Sequence, residues 1–439
     1  MIFGWGKKKQ EEEEEEEEVE LVTFQGSLNG IAPDLKENAK LVQAGLVRSK
    51  ELVTEALSQR AEMIRVEPKG QASVATFYID GIPTPGERMP VQAGLAVTQM
   101  LKLLSGLDIK VRTKAQSGGI KAQFNELPWE VRVDSSPLKE GGERLIVRMR
   151  NTKIPFESPN DLGYSDKIKE KIKELAAGKK GLILAAGPPL SGVSTLALAI
   201  VRGIDAYMTT IFTIFDTGRD IAHISHFKPE IEGQAEDWRK TVVRAKRAEA
   251  EVLYMEPIRN AEYAKHVLED SEDVTMIAEF AAKDAADAIT RMCQLTADPK
   301  AVAENLKAVF SQKLVRILCD KCRQAFRPNP KLLEKVGLPP ETKVLYRKYE
   351  PPAEDSDEDP EICEKCNGTG FFGRTAMIEL IENNDTIKAI ILAGADPGAL
   401  RSAARKEKFP SLQMDGLRLV AQGKTSLEEL QRVFKGDAP

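Results

Sequence analysis

The sequence lacks several features, and each absence excludes a class of protein. It has no apolar run of about 18 residues, so we predict no membrane-spanning helix. Its first residues carry no long apolar core, so they do not form a signal peptide. Only five cysteines and three histidines occur in 439 residues. Four of the cysteines form two C-x-x-C pairs, which at this length excludes a secreted disulfide scaffold. We therefore expect a cytoplasmic protein.

An excess of basic charge is also missing. The chain has 63 Lys+Arg and 68 Asp+Glu, a net charge of −5. Residues 1–20 hold three lysines and nine glutamates, which leaves 60 basic and 59 acidic groups in the other 419 residues. A nearly neutral body lacks the clustered basic charge that nucleic-acid binding needs, so we predict no nucleic-acid partner. The glutamate run predicts that residues 1–20 form a disordered, solubilising tail.

The rest of the chain divides into predicted domains. Residues 21–150 form an α+β domain, with helices at 34–59 and 91–104 and strands at 63–66, 74–79, 119–124, 129–133 and 144–149. Proline-bearing residues 151–164 form a linker. In residues 165–310, apolar strands at 181–186, 209–215, 251–255 and 273–278 alternate with helices, which predicts an α/β domain. From about Asn305 we predict helix, and residues 311–439 form a C-terminal subdomain with a solvated acidic insert at 350–361.

A degenerate phosphate-binding loop follows the strand at 181–186. The spacing is G-x-x-x-x-G-x-[ST], in the strand–loop–helix context that such loops require. The candidate nucleotide-binding residues are Gly187, Ser191, Gly192, Val193, Ser194 and Thr195. Val193 stands where the motif has the lysine that reaches the β- and γ-phosphates, and no lysine or arginine lies between Gly187 and Thr195.

The same loop is a poor amide cradle. Pro188 and Pro189 donate no N–H, and we expect Leu190 to resist a positive φ, which a glycine would accept. Ser194 remains able to ligate Mg²⁺, and the N-terminus of the following helix favours an anion. The missing charge-assisted hydrogen bond is worth about 1.5–3 kcal/mol, or roughly ten- to a hundredfold in affinity. ATP and Mg²⁺ are therefore expected to bind weakly or not at all, with a competent site as the less favoured alternative.

The two C-x-x-C pairs predict a metal site. Cys319 and Cys322 form one pair, and Cys363 and Cys366 form the other. Two such pairs can supply the four thiolates of a tetrahedral structural zinc site, which leaves no open position for catalysis. The alternative is two unrelated reduced pairs. Cys293 stands apart and is interpreted as a small apolar residue.

Long motifs in the same order carry a resemblance to a known family. They lie at residues 61–68, 78–81, 106–109, 129–133, 142–148, 162–164, 181–195, 311–322, 363–374, 414–417 and 425–430. Over residues 60–434 the chain resembles the type II secretion and type IV pilus assembly ATPases, which are hexameric RecA-like motors. The resemblance implies an α/β, RecA-like P-loop domain, preceded by a small PAS-like α+β domain and followed by a zinc-knuckle and helical part.

The resemblance also implies partners. These are related ATPases, in a homo- or hetero-hexamer, and the platform proteins of a secretion or pilus machine at the inner membrane. The chain would then be cytoplasmic, or peripheral at that membrane through its protein partners. Arg132 and Arg148 match N-terminal-domain arginines that in the family approach the phosphates. The equally weighted alternative is that they are ordinary strand-edge arginines.

The catalytic boxes depart from the family pattern. In the acidic box at 213–217, Phe215 replaces the glutamate that handles the attacking water, while Asp216 remains. In the Walker B box at 255–260, Pro257 takes the glutamate position, Glu256 stands one place early and Arg259 is kept. The histidine box at 273–284 contains no histidine.

Three hypotheses follow from these departures. The leading one is a family member that has lost ATP hydrolysis and works as a structural or regulatory subunit of its machine, because several losses in one pocket are hard to compensate. The second is a divergent but working motor in which Glu256 replaces the missing carboxylate. The third is a zinc-stabilised interaction module in which residues 60–300 form no hexamer interface.

Overall fold

The structure, a computed structural model, describes residues 20–153, 159–177, 180–215, 221, 223–228, 230–231, 234–350 and 362–435. Nearly all of the predicted acidic tail and of the acidic insert therefore lies outside the described residues. The chain divides into two compact units, Met1–Ile154 and Pro155–Pro439. The finer domain boundaries given above stay predictions.

The first unit is an α+β fold with one antiparallel sheet. Its described elements are β1 (Thr23–Ser27), α1 (Ala39–Ser58), β2 (Ala61–Lys69), β3 (Ala72–Ile79), β4 (Ile82–Pro90), α2 (Val91–Leu104), β5 (Gln116–Phe124), β6 (Leu127–Pro137) and β7 (Glu143–Asn151). The strand order is β1-β5-β6-β7-β2-β3-β4. Buried side chains of α1 and α2 share one core with alternate residues of the strands, as a half-buried sheet requires.

Both predicted helices of this unit are present, with one corrected boundary. The helix predicted at 91–104 is confirmed. The helix predicted to start at Asp34 begins instead at Ala39. The Asp34 carboxylate accepts hydrogen bonds from the backbone N–H groups of Lys36 and Glu37, at 3.0 and 2.8 Å. Such a side-chain-to-backbone turn competes with helix, which explains the later start.

Two strands of this sheet had no counterpart in the sequence-based prediction. They are β1 and β4, and they form its two edges. The sequence of β4 contains Pro83, Pro85 and Pro90. Because proline has no backbone N–H to donate to a ladder, a strand with several prolines is favoured at the edge of a sheet, where proline also discourages pairing with another chain.

The second unit carries the phosphate loop and the cysteine pairs. Its described elements are α3 (Asp166–Ala176), β8 (Gly181–Gly187), α4 (Val193–Arg202), β9 (Ile211–Thr213), β10 (Ser225–His226), β11 (Glu230–Ile231), β12 (Gln234–Ala235), α5 (Trp238–Arg247), β13 (Val252–Tyr254), α6 (Ala261–Asp270), β14 (Thr275–Ala281), α7 (Ala285–Thr296), α8 (Pro299–Asn305), β15 (Leu306–Leu318), β16 (Gln324–Phe326), α9 (Pro330–Val336), β17 (Leu345–Arg347), β18 (Phe371–Glu382), α10 (Asp385–Leu392), α11 (Pro397–Lys406), α12 (Leu412–Ala421) and α13 (Leu427–Lys435).

The main sheet of this unit has the order β10-β9-β13-β14-β8-β15-β18. All neighbouring pairs are parallel except β15 and β18, which are antiparallel. Separate apolar clusters cover the two faces, and the interior residues of β8 are buried on both, as its continuous apolar run predicts. None of the helices in the described residues is both long and apolar enough to cross a bilayer.

The helix predicted from about Asn305 is wrong at its beginning. Residues Leu306–Leu318 form a long strand inside the sheet, between β8 and β18. The predicted boundary between residues 310 and 311 therefore falls within β15. A strand buried on both faces loses the two-residue alternation that identifies exposed strands, so its apolar pattern is also compatible with helix. Helices do follow β18, as predicted for the end of the chain.

Candidate nucleotide site and cysteine cluster

The degenerate loop joins β8 to α4, as its spacing predicts. Gly187 ends the strand, Gly192 caps the helix with φ of 80°, and Val193 is the first helical residue. Leu190 adopts φ of 65°. The loop adopts the conformation that we expected Leu190 to resist, and the left-handed backbone costs about 1–2 kcal/mol for a non-glycine residue. The backbone at Leu190 thus has the left-handed conformation that glycine favours, although the residue is leucine.

A buried amide holds this loop in place. The Gln312 side chain on β15 donates from Nε2 to the carbonyl oxygens of Ser191, at 2.8 Å, and Gly192, at 3.2 Å. Its Oε1 accepts a hydrogen bond of 2.6 Å from the Tyr164 hydroxyl. Burial raises the pKa of Tyr164, and the charge of Asp415 raises it further, so this hydroxyl remains a donor. Hydrogen bonds within the protein therefore hold the loop in its conformation.

The end of the loop faces a carboxylate that the sequence reasoning missed. Ser194, the candidate Mg²⁺ ligand, donates a hydrogen bond of 2.7 Å to Oε2 of Glu279. Oε1 of the same carboxylate accepts a hydrogen bond of 2.6 Å from the Tyr254 hydroxyl. Glu279 lies on β14, the strand next to β8. The available signal was a single acid within the otherwise apolar segment TMIAEFA.

The other residues of the loop add no positive charge. Val193 is half-buried and packs against the apolar cluster below the loop. Thr195 is half-buried in the first turn of α4, and Ser191 is buried. The side-chain oxygen of Ser191 meets no hydrogen-bond partner within the described residues. A phosphate at this helix N-terminus would therefore meet the carboxylate of Glu279 without the ammonium group of the motif.

The residues of the acidic and Walker B boxes have separate surroundings. The Phe215 ring packs edge-on against Tyr254, with centroids 5.0 Å apart, and Asp216 lies outside the described residues. Glu256 is exposed, and its charge adds to burial in raising the pKa of Tyr263 on α6. Among the described residues, the carboxylate bonded to Ser194 is therefore that of Glu279 and not that of Glu256.

Arg259 is exposed at a cavity of about 480 Å³ behind the Walker B box. Phe280 and Arg291 also line this cavity, and the Arg291 guanidinium lies 5.6 Å from the centroid of the Phe280 ring. In the first unit, Arg132 and Arg148 are paired neighbours on β6 and β7. They form ion pairs with Glu130 and Asp134, respectively. The role toward phosphates that the resemblance implies for Arg132 and Arg148 stays a prediction, as does the catalytic role of Arg259.

The four predicted metal ligands lie together. Sγ of Cys319 is 3.8 Å from that of Cys363, and Sγ of Cys322 is 3.7 Å from that of Cys366. All four sulfurs lie within 4.8 Å of one another. Four thiolates bound at about 2.3 Å to one tetrahedral zinc ion are about 3.8 Å apart, so the donor set and its spacing fit zinc.

The surroundings of the cluster act in opposite directions on its thiols, and ion pairs join its two halves. A backbone N–H from Cys366 lowers the pKa of the Cys363 thiol to about 7, whereas burial raises that of Cys322. Ion pairs cross between the two knuckles, from Lys321 to Glu364 and from Lys365 to Asp320. Cys293 lies elsewhere, buried on α7, where burial raises the pKa of its thiol to about 11.

Comparison with known proteins shows the family. The model of the type II/IV secretion system proteins matches residues 38–432, which is most of the chain. The chain belongs to this family. The resemblance inferred from the motifs is therefore confirmed.

The family relatives include pilus and secretion proteins. The chain is 30% identical over 387 residues to the type IV pilus assembly ATPase PilB of Thermus thermophilus, and the match covers 87% of this chain and 42% of that protein. It is 27% identical over 389 residues to the type II secretion system protein HxcR of Pseudomonas aeruginosa, covering 88% and 76%. The chain thus spans less than half of the Thermus relative and about three quarters of the Pseudomonas one.

Two solved structures of a similar fold are an ATPase and a pilus retraction motor. The ATPase DotB of Legionella pneumophila has a TM-score of 0.53 at 17% identity, over 89% of this chain and 96% of that one. The pilus retraction motor PilT with bound ADP has a TM-score of 0.51 at 17% identity, over 89% and 97%. At this identity the likeness shows the fold alone: the chain has the α/β fold of these two proteins.

Proposed function

We propose that this secretion-family protein has lost ATP hydrolysis and acts as a structural or regulatory subunit of a type II secretion or type IV pilus machine. The single observation that carries the proposal is the charge at the phosphate loop. Val193 removes the positive group of the motif, and Glu279 brings a negative group to Ser194, at 2.7 Å. Phosphoryl transfer depends on positive charge positioned around the phosphates, whereas this loop has no lysine or arginine and its Ser194 is bonded to a carboxylate.

The proposal includes partners and a location. The protein assembles with related ATPases into a homo- or hetero-hexamer and contacts inner-membrane platform proteins. It is cytoplasmic and reaches the membrane only through those proteins. Zinc bound by the four cysteines stabilises its C-terminal part and takes no part in chemistry. The first unit serves as the PAS-like N-terminal domain of the family. A third reading, a zinc-stabilised module without hexamer contacts, predicts a monomer by light scattering with and without an active relative.

A turnover assay tests the proposal. The full-length protein, purified with its metal, is incubated with Mg-ATP, and released phosphate is measured beside an active family member at equal concentration. We expect no turnover above background, both alone and in mixture with the relative's platform protein. Turnover within about tenfold of the active relative would contradict the proposal. Typical enzymes have kcat values of roughly 1–1,000 per second, and a pocket that has lost hydrolysis should fall far below the active relative.

The second candidate is a divergent but working motor. The observation that favours it is the backbone of the loop, since Leu190 has φ of 65° and Gly192 has φ of 80°, the region that glycines of a phosphate-binding loop would adopt without strain. This candidate predicts tight ATP binding despite Val193. The substitution Val193→Lys separates the two readings by calorimetry. A working motor binds ATP at micromolar concentration already, and the lysine changes little, whereas a defective loop gains affinity.

A further inference from the structure

Glu279 is held rigidly at the phosphate loop. Its backbone pairs with Ala185 of β8, and its carbonyl oxygen accepts a hydrogen bond of 2.9 Å from the N–H of Ile258. Both carboxylate oxygens accept hydrogen bonds from hydroxyl groups, Oε2 from Ser194 at 2.7 Å and Oε1 from Tyr254 at 2.6 Å. Tyr254 is 1% exposed. A side chain fixed at its backbone and at both oxygens cannot swing away at low cost.

We propose that Glu279 occupies the phosphate side of the loop and is the residue that excludes nucleotides from it. The inference rests on the proposed function and names the group responsible. At the N-terminus of α4, the motif places the positive charge of a lysine, whereas this chain has neutral Val193 there and the negative charge of Glu279 bonded to Ser194, the next residue. The first turn of α4 and its hydrogen-bond partner therefore differ from the motif by two unit charges. The helix N-terminus still favours an anion, but that anion is already supplied by the protein.

The size of the effect follows from the distances. A phosphate on this helix end would approach the Ser194 hydroxyl, and the carboxylate lies 2.7 Å from that hydroxyl. Two like charges about 5 Å apart, at an effective dielectric constant of about 20, weaken binding by a few hundredfold, on the order of 10². The repulsion acts together with the missing lysine, so both must be restored for tight binding.

The opposite role for the same carboxylate is a relocated Mg²⁺ ligand. Glu279 and Ser194 supply two oxygen ligands to an ion that needs about six and loses its water reluctantly. Such a pair binds Mg²⁺ too weakly to neutralise the carboxylate before a nucleotide arrives. The two roles predict opposite effects of removing the charge, which makes them separable by experiment.

The test is calorimetric titration of the full-length, metal-loaded protein with ATP, in Mg²⁺ and again in a chelator that leaves structural zinc in place. Glu279→Gln removes the charge and keeps the size of the side chain. Glu262→Gln is the matched control, because Glu262 is an exposed carboxylate on α6 that pairs with Arg239. Both are made in the wild-type and the Val193→Lys backgrounds, and Glu279→Ala replaces the first variant if thermal unfolding shows that it does not fold.

We expect Glu279→Gln to tighten ATP binding at least tenfold in the Val193→Lys background, with and without Mg²⁺, and Glu262→Gln to leave it within twofold. Unchanged affinity, or no binding in either variant, overturns the role of Glu279. Weaker binding only in Mg²⁺ also overturns it and identifies a relocated metal ligand. Wild-type turnover is measured in parallel. Brisk turnover contradicts the proposed function, whereas unchanged affinity without turnover contradicts only the role of Glu279.

Discussion

Removal of one buried thiolate should separate zinc binding from ordinary core packing. Cys366 is 1% exposed and its sulfur lies 3.7 Å from that of Cys322. In Cys366→Ser, the fourth thiolate is lost, and we expect zinc to fall from about one per chain to well below one, because a closed structural site needs all four ligands. The measurement is elemental analysis of the purified full-length protein.

The stability effect can be worked from the chain connection. The cluster joins residues 44 positions apart, Cys319 with Cys363 and Cys322 with Cys366. A cross-link that closes a loop of this length restricts the unfolded chain by about 4 kcal/mol in the chain-entropy model. For a domain of more than 150 residues that corresponds to a fall in melting temperature on the order of 10 °C. Calorimetry of the wild type with excess chelator should give a similar fall.

Cys293→Ser is the control for both measurements. This residue is a buried cysteine outside the cluster, so its substitution perturbs the core without removing a ligand. We expect it to keep one zinc per chain and to show no chelator effect beyond that of the wild type. The reasoning is refuted if the wild type holds no zinc, or if Cys293→Ser loses as much metal as Cys366→Ser.

Three further predictions concern the scaffold around the candidate site. Leu190→Gly should be more stable than Leu190→Ala by about 1 kcal/mol in urea unfolding, because only glycine relieves the positive φ, and equal stabilities would contradict this strain. Burial and the nearby charge of Asp284 raise the pKa of Glu379 from 4.5 to about 7, although a backbone N–H opposes the shift. The folded state therefore holds this proton after the unfolded chain has released it, so the free energy of unfolding should fall as pH rises from about 4.5 to about 7 and then level off. In urea unfolding midpoints, Glu379→Gln should flatten this pH dependence. An unchanged pH dependence would assign it to other groups. Glu429→Gln should lower stability by about 3 kcal/mol or more, since the buried carboxylate accepts from Arg316 at 2.7 Å and from a second arginine, and a change below 1 kcal/mol in the same assay would show that the pair contributes little.

The sequence was sufficient for features that depend on local pattern. The strand β8, the loop after it and the helix α2 follow from an apolar run, a glycine spacing and a helical repeat. The four cysteines could be grouped because metal ligands impose a spacing that is readable without coordinates. The resemblance to the secretion family rests on motifs of the same local kind.

Features that depend on contacts between residues far apart in sequence could not be predicted from the sequence. β15 resembles a helix in sequence because burial between two strands removes its alternation, and β4 resembles a loop because of its prolines. Gln312 and Glu279 meet the phosphate loop across 120 and 85 positions of sequence, respectively. No spacing rule joins such positions, so the charge of the pocket was visible only in part, as a missing lysine and not as an added carboxylate.

The amide of Gln312 has a consequence for how this protein can change over time. In many binding loops the ligand itself supplies the order, so a chain that stops binding also risks losing the surrounding structure. In this chain, the side chain of Gln312 orders the loop through its hydrogen bonds to the carbonyl oxygens of Ser191 and Gly192. A lineage could therefore exchange the residues that contact a nucleotide one at a time while the fold around the loop stayed intact. The fold of the loop can therefore persist after nucleotide binding is lost.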